Sequence, residues 1–242
     1  MEIIKNSPPN LKEIKFKCDK PLHKKLNCNP ILSLMNRHNF TVFLGKGGSG
    51  KSTKLIELIQ SDECFKNVYH EIYLFCPPTS RGSISSKGKG FWEDNLDPKN
   101  IFDVLNVDNL AEVYERILVD SEAGFNSLII FDDVQSGYRD KYVCKMLLQM
   151  NNNKRHLRTS IWMLNQNLMS VPSQIRMNVM DMFIFKLSKV EMENIYKQFL
   201  EITPEKLDML QDVLFKSAHD FLFIDTTSKR LFNNWDEIVF TK

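Results

Sequence analysis

Near-continuous apolar runs, rich in β-branched and aromatic side chains, recur along the chain at residues 40–44, 69–76, 127–131, 159–164 and 182–187. Runs of this length predict strands covered on both faces. Between them the apolar positions take helical spacing. Residues 54–59 follow the first run in this way, and Leu110, Val113, Ile117 and Leu118 line one side of a helix over 109–119. Residues 141–150, about 189–200 and 204–216 read as further helices. The chain closes on a β-hairpin, with strands at 220–225 and from Arg230 to Val239 around a turn at 226–229. Alternating strands and helices predict an α/β fold, a mainly parallel sheet with helices on both faces, whose ligand site lies at the carboxyl ends of its strands.

The loop after the first strand carries the chemistry. Residues 45–52 read G-K-G-G-S-G-K-S, a full match to G-x-x-x-x-G-K-[ST], and the strand before and helix after supply the context in which that pattern binds phosphate. Gly45, Gly47, Gly48 and Gly50 let backbone N–H groups approach phosphate oxygens, and the helix beginning near Lys51 adds the positive end of its dipole. Lys46, Ser49 and Thr53 complete the binding stretch. Lys51 is expected to bridge the β- and γ-phosphates of a nucleoside triphosphate, and Ser52 to ligate Mg²⁺.

A metal partner is predicted at the end of Leu128-Ile129-Ile130-Phe131-Asp132-Asp133. Asp132 would hold Mg²⁺ directly or through water, and Asp133 is placed to deprotonate an attacking water. The additional strand at 69–76 and the polar tip Asn165-Gln166 fit the additional-strand, catalytic-carboxylate (ASCE) division of phosphate-loop ATPases. Gln166 is read either as a γ-phosphate sensor or as a cap for the next turn. No N-K-x-D guanine reader is found in the sequence, which favours ATP.

Composition narrows the setting. The 242 residues, 43% apolar and 26% charged, suit one phosphate-loop domain over 39–242, with 201–242 as a helix-and-hairpin extension and 1–38 as a basic leading segment. The net charge of +2 excludes a protein coated in basic charge. Residues 11–25 nonetheless hold six lysines against Glu13 and Asp19. Ile14, Phe16 and Cys18 alternate with two of these lysines, as an edge strand or a phosphate-facing strip. No apolar run is long enough to span a bilayer, and no signal-peptide block is present. Cys18, Cys28, Cys64, Cys76 and Cys144 include no C-x-x-C pair, as expected of reduced thiols; Cys18, His23 and Cys28 fall short of a zinc set.

Taken in order, the motifs resemble the FtsK/HerA superfamily and, within it, the poxvirus-like DNA-packaging ATPases of large double-stranded DNA viruses and virophages. The resemblance covers roughly 38–240. It rests on the loop at 45–52, on I-I-F-D-D at 129–133, and on R-H-L-R-T-S-I-W-M-L-N-Q, V-P-S-Q-I-R-M-N and M-F-I-F within 155–185. It implies a RecA-like motor that hydrolyses ATP to drive double-stranded DNA into a preformed capsid. It also implies a homo-oligomeric ring of five or six subunits, a capsid vertex as partner, no membrane, and a place in the host cytoplasm, viral factory or virion. An arginine finger would come from a neighbouring subunit, with Arg155 as first candidate and Arg176 as second. In residues 79–100, Arg81, Lys87 and Lys89 with Phe91 and Trp92 would be either a DNA grip or a solvated loop, since Glu93, Asp94 and Asp97 dilute the charge. The competing readings are a ring helicase or loader on single-stranded DNA, a nucleoside kinase, and a non-catalytic nucleotide-switched assembly subunit.

Overall fold

The computed structural model describes residues 30–239 except 83–84, 87–88, 201–208 and 211–212. The lysine strip, Cys18, His23 and Cys28, and most of the helix expected at 204–216, fall outside the described residues. The elements, in order, are β1 (Phe40–Leu44), α1 (Lys51–Gln60), β2 (Glu71–Phe75), β3 (Ile101–Phe102), α2 (Val107–Glu122), β4 (Ser127–Asp132), α3 (Lys141–Asn153), β5 (Thr159–Asn165), β6 (Asp181–Phe185), α4 (Lys189–Phe199), β7 (Phe221–Asp225), β8 (Arg230–Asn233) and β9 (Asp236–Ile238).

Among the described residues these strands form one sheet in the order β9-β8-β7-β6-β1-β5-β4-β2-β3. From β6 to β3 every pairing is parallel. From β6 to β9 every pairing is antiparallel. The central strands β1, β4, β5 and β6 are buried along their whole length, which is why they read as unbroken apolar runs. Period-two alternation sends their side chains into two cores. Val42, Phe131, Ile161 and Met163 meet Val113 and Ile117 of α2, Leu147 of α3 and Ile195 of α4 on one face. Phe43, Ile130, Trp162 and Phe183 meet Leu55 and Leu58 of α1 and Trp92 on the other.

Helix boundaries follow their caps. Asn106 accepts from the Asn109 N–H and starts α2 before the expected position, and Asp140 accepts from Tyr142 and Val143 to start α3. Ser188 and Glu191 form a reciprocal capping box on α4. Two departures from the sequence reading matter. Residues 79–100 are not irregular throughout: they include short helices at Pro78–Arg81 and Phe91–Asn95. The C-terminal hairpin carries a third strand, β9, turned back at Asn234, whose φ is 54°.

Candidate active site

The phosphate loop leaves the carboxyl end of β1, and strand order decides what faces it. β5 lies between β1 and β4, with Leu44 in register with Asn165 and Asp132 in register with Leu164. The tips of three neighbouring parallel strands therefore bring Gly45, Asn165 and Asp133 to one end of the sheet. The Gly45 N–H donates to the Asn165 carbonyl at 3.1 Å, fixing the loop's first residue to the tip of β5.

Two glycines are required by the backbone here. A Cβ on Gly45 would sit 2.6 Å from Ser49 Oγ and 2.8 Å from Phe185 Cβ, so the loop closes on itself only with glycine. Gly50 has φ 103°, in the left-handed region, and opens α1 with no side-chain cap. The first-turn N–H groups of this ten-residue helix thus lack a capping side chain, which suits an anion. Lys51 Nζ lies across the loop, donating to the carbonyls of Gly45 (2.6 Å) and Lys46 (2.9 Å). Burial lowers its pKa, against the pull of Asp132 and Asp133. Both carboxylates therefore act on this ammonium.

Ser52 Oγ donates to Asp132 Oδ2 at 3.3 Å. Burial pushes the Asp132 carboxyl up to about 6; Lys51 and Ser52 oppose the rise, and Asp133 adds to it. A hydroxyl and a desolvated carboxylate side by side, with one lysine as the nearby cation, are a hard-oxygen pair suited to Mg²⁺. The donor set fits the metal expected with a nucleoside triphosphate. Beside it, burial holds the Cys76 thiol protonated, with Asp132 adding to the rise.

Asp133 is handled differently from Asp132. Its φ of 57° turns the chain at the end of β4, and the side chain is exposed. Its Oδ2 accepts from Ser80 Oγ at 2.7 Å. The two adjacent aspartates are therefore separated: one faces the loop helix, the other the segment after β2.

Of the other expected site residues, Lys46, Gly47, Gly48 and Thr53 are exposed along the loop and first helical turn. Gln166 is exposed at the tip of β5. Arg176 braces its own loop, its Nη1 3.4 Å from the Leu168 carbonyl and 3.0 Å from Met169 Sδ. Arg155 lies ahead of β5, at the end of the sheet away from the phosphate loop, and is exposed. The DNA-grip reading of 79–100 changes. Arg81 is ion-paired to Glu93 (2.9 Å) and Asp103 (2.7 Å), and Trp92 is core, so neither is offered to a ligand. The side chains of Lys87 and Lys89 fall outside those described.

Three residues were missed by sequence reasoning. Asn165 is 1% exposed, and both its amide atoms lack a hydrogen-bond partner among the described residues. His219, in the left-handed region at φ 71°, places Nδ1 3.1 Å from the Ser49 carbonyl. Ser80 holds Asp133. The polar tip of β5 was a visible signal for Asn165; the other two meet the site only through the fold.

The strand expected to be the additional one, at 69–76, is β2 and pairs on the outer side of β4; the strand inserted between β1 and β4 is β5. A phosphate loop on β1, this inserted strand and paired carboxylates at the tip of β4 define an ASCE-type phosphate-loop NTPase fold. The family model described as "Poxvirus A32 protein" matches residues 31–221, and the chain belongs to that family. The proteins named "DNA packaging protein OPG160" of Variola virus and of Vaccinia virus (strain Copenhagen) are each 28% identical over 174 residues, covering 70% of this chain and 60% of theirs. The chain thus spans 60% of the length of these relatives. Solved structures of the genome packaging NTPase B204 from Sulfolobus turreted icosahedral virus 2 share the fold. The complex with AMPPCP has a TM-score of 0.58 at 14% identity, covering 84% of this chain and 100% of that one. The complex with ATP-gammaS has a TM-score of 0.57 at 15% identity, covering 81% and 97%. At these identities the likeness is one of fold. Among the described residues no helix is long and apolar enough to cross a membrane.

Proposed function

We propose that the chain is an ATP-hydrolysing motor that moves double-stranded viral DNA into a preformed capsid. The observation that carries the hydrolytic part is the division of labour between Asp132, beside Ser52, and Asp133, turned away from it by a left-handed backbone. A kinase needs its reacting water excluded; a hydrolase needs a base aimed at one. The DNA-packaging part is supported by family membership and by the names of the relatives, a DNA packaging protein and a genome packaging NTPase.

In this reading Lys51 leaves the loop carbonyls and takes the β- and γ-phosphates, so that its positive charge follows the charge developing on the transferring group. Ser52 and Asp132 would hold Mg²⁺, which when bound would supply neutralisation of the phosphate charge. Asp133 accepts a proton as the water oxygen bonds to the γ-phosphorus, and the bond from that phosphorus to the β-phosphate oxygen breaks, leaving ADP. Gln166, exposed at the tip of β5, senses the γ-phosphate or helps place the water. Arg155 serves a neighbouring copy, with Arg176 as the alternative, in a ring of five or six.

The test is ATP turnover with and without double-stranded DNA, for the wild type, Lys51→Ala and Asp133→Asn. Turnover is expected to need Mg²⁺ and to rise with the duplex. Asp133→Asn should lose at least about a hundredfold in kcat while still binding ATP, and Lys51→Ala should lose binding and turnover together. Unchanged hydrolysis in Asp133→Asn removes the general-base assignment. Stimulation by single strands alone points instead to a helicase or loader.

A further inference from the structure

We propose that Ser80 is a positioning residue for hydrolysis, holding the Asp133 carboxylate by one oxygen so that the other is presented to the water. This rests on the reading of Asp133 as the general base.

The geometry begins with Asp133 itself. A non-glycine residue at φ 57° is in a sparsely populated conformation, held there only by its surroundings. An exposed aspartate at such a turn would sample several rotamers unless a partner fixed it. Ser80 Oγ supplies that partner, donating to Oδ2 at 2.7 Å across 53 residues of sequence. A charge-assisted hydrogen bond of this length selects one rotamer and occupies one carboxylate oxygen, leaving Oδ1 for a proton.

Ser80 is itself braced. It lies in the short helix Pro78–Arg81, which follows directly from β2 and so is registered against β4 through the sheet. Arg81, the next residue, makes three separate anchors: Nη1 donates to the Cys76 carbonyl at 2.7 Å and to Asp103 at 2.7 Å, and Nε donates to Glu93 at 2.9 Å. A guanidinium committed to a backbone carbonyl and two carboxylates is poorly suited to a surface role, but well suited to fixing the turn that carries Ser80. Displacing a reacting group by about 1 Å can cost about a hundredfold in rate, so a brace of this kind belongs in the catalytic geometry.

Steady-state ATPase kinetics on the full chain, with Mg²⁺ and double-stranded DNA, test this with Ser80→Ala and Ser80→Thr. Ser80→Ala is expected to lower kcat about tenfold or more while KM for ATP and the affinity for a non-hydrolysable ATP analogue stay within about twofold. Ser80→Thr, which keeps the hydroxyl, is expected to recover most of the lost kcat. A wild-type or raised kcat in Ser80→Ala overturns the proposal, the latter because the bond would then restrain the base. Equal loss in Ser80→Thr and Ser80→Ala also overturns it, when thermal melts show both folded. Asp133→Asn, run alongside, separates the two readings. If that variant turns over normally, the general-base assignment fails; if it is inactive while Ser80→Ala is unaffected, only the role of Ser80 fails.

Discussion

Gly50 concentrates the demands on the phosphate loop into one position. Its φ of 103° is open to glycine, and an added Cβ would come to 3.0 Å from the His219 Nδ1. Gly50→Ala is therefore expected to strain the loop by about 1–3 kcal/mol and push His219 off the Ser49 carbonyl. Loss of most ATP-analogue affinity, with a lowered melting temperature, is the outcome to measure; wild-type affinity would show that the loop tolerates another path. This glycine, with Lys51 and Ser52, was legible in the sequence because the phosphate loop is a contiguous motif. Ser80 and His219 were not, because they reach the site across 53 and 170 residues and nothing in their neighbours' identity announces the contact. Asp132 and Asp133 take different roles already from their order at the strand end; the turn between them adds the partners, Ser52 for one and Ser80 for the other.

Strands and helices were read most reliably where burial is complete on both sides. β1, β4 and β5 are such cases, and α2 announced itself through Leu110, Val113 and Ile117. Elements with weak patterns were not legible: β3 has two residues, and β9 reads Asp-Glu-Ile, two exposed acids and a half-buried isoleucine. Sequence also gave no warning of the carboxylates that β6 and β7 bring together. Asp181 and Asp225 stand directly opposite in the antiparallel register. Asp225 accepts from the Thr227 and Ser228 N–H groups and the Ser228 hydroxyl, while Asp181 has the Thr41 hydroxyl at 3.4 Å. Burial, then Asp225, pushes the Asp181 carboxyl well above the ordinary range, against Thr41 and Lys154. A raised folded pKa stabilises the fold fully below the unfolded value of about 3.9, and that contribution is lost as pH rises towards the folded one. Asp181→Asn should therefore melt higher than the wild type at pH 8, by about 2–4 °C for each kcal/mol gained, with the gap closing towards pH 4. A gap independent of pH would mean that Asp181 is ionised in the fold.

At the scale of the whole molecule, the sheet has two chemically distinct ends. The phosphate loop, Asp132, Asp133 and Asn165 gather at the carboxyl ends of β1, β4 and β5; Arg155 lies beyond the amino end of β5, at least about 20 Å away along a seven-residue strand. It cannot serve the site of its own chain. If it is the finger, mixing Arg155→Ala with Lys51→Ala subunits should restore part of the ATPase activity that each lacks alone, since mixed assemblies pair an intact loop with an intact arginine. No recovery at any ratio, in assemblies shown to exchange subunits, assigns Arg155 another task. The distance between the two ends also restricts symmetry. A two-fold axis would set like surfaces against each other, loop end to loop end or arginine end to arginine end, whenever the contact lies on the axis. One copy's arginine end can meet another's loop end in two ways: reciprocally, on either side of a two-fold axis, or head to tail, in which case the contacts close into a ring or continue as a filament.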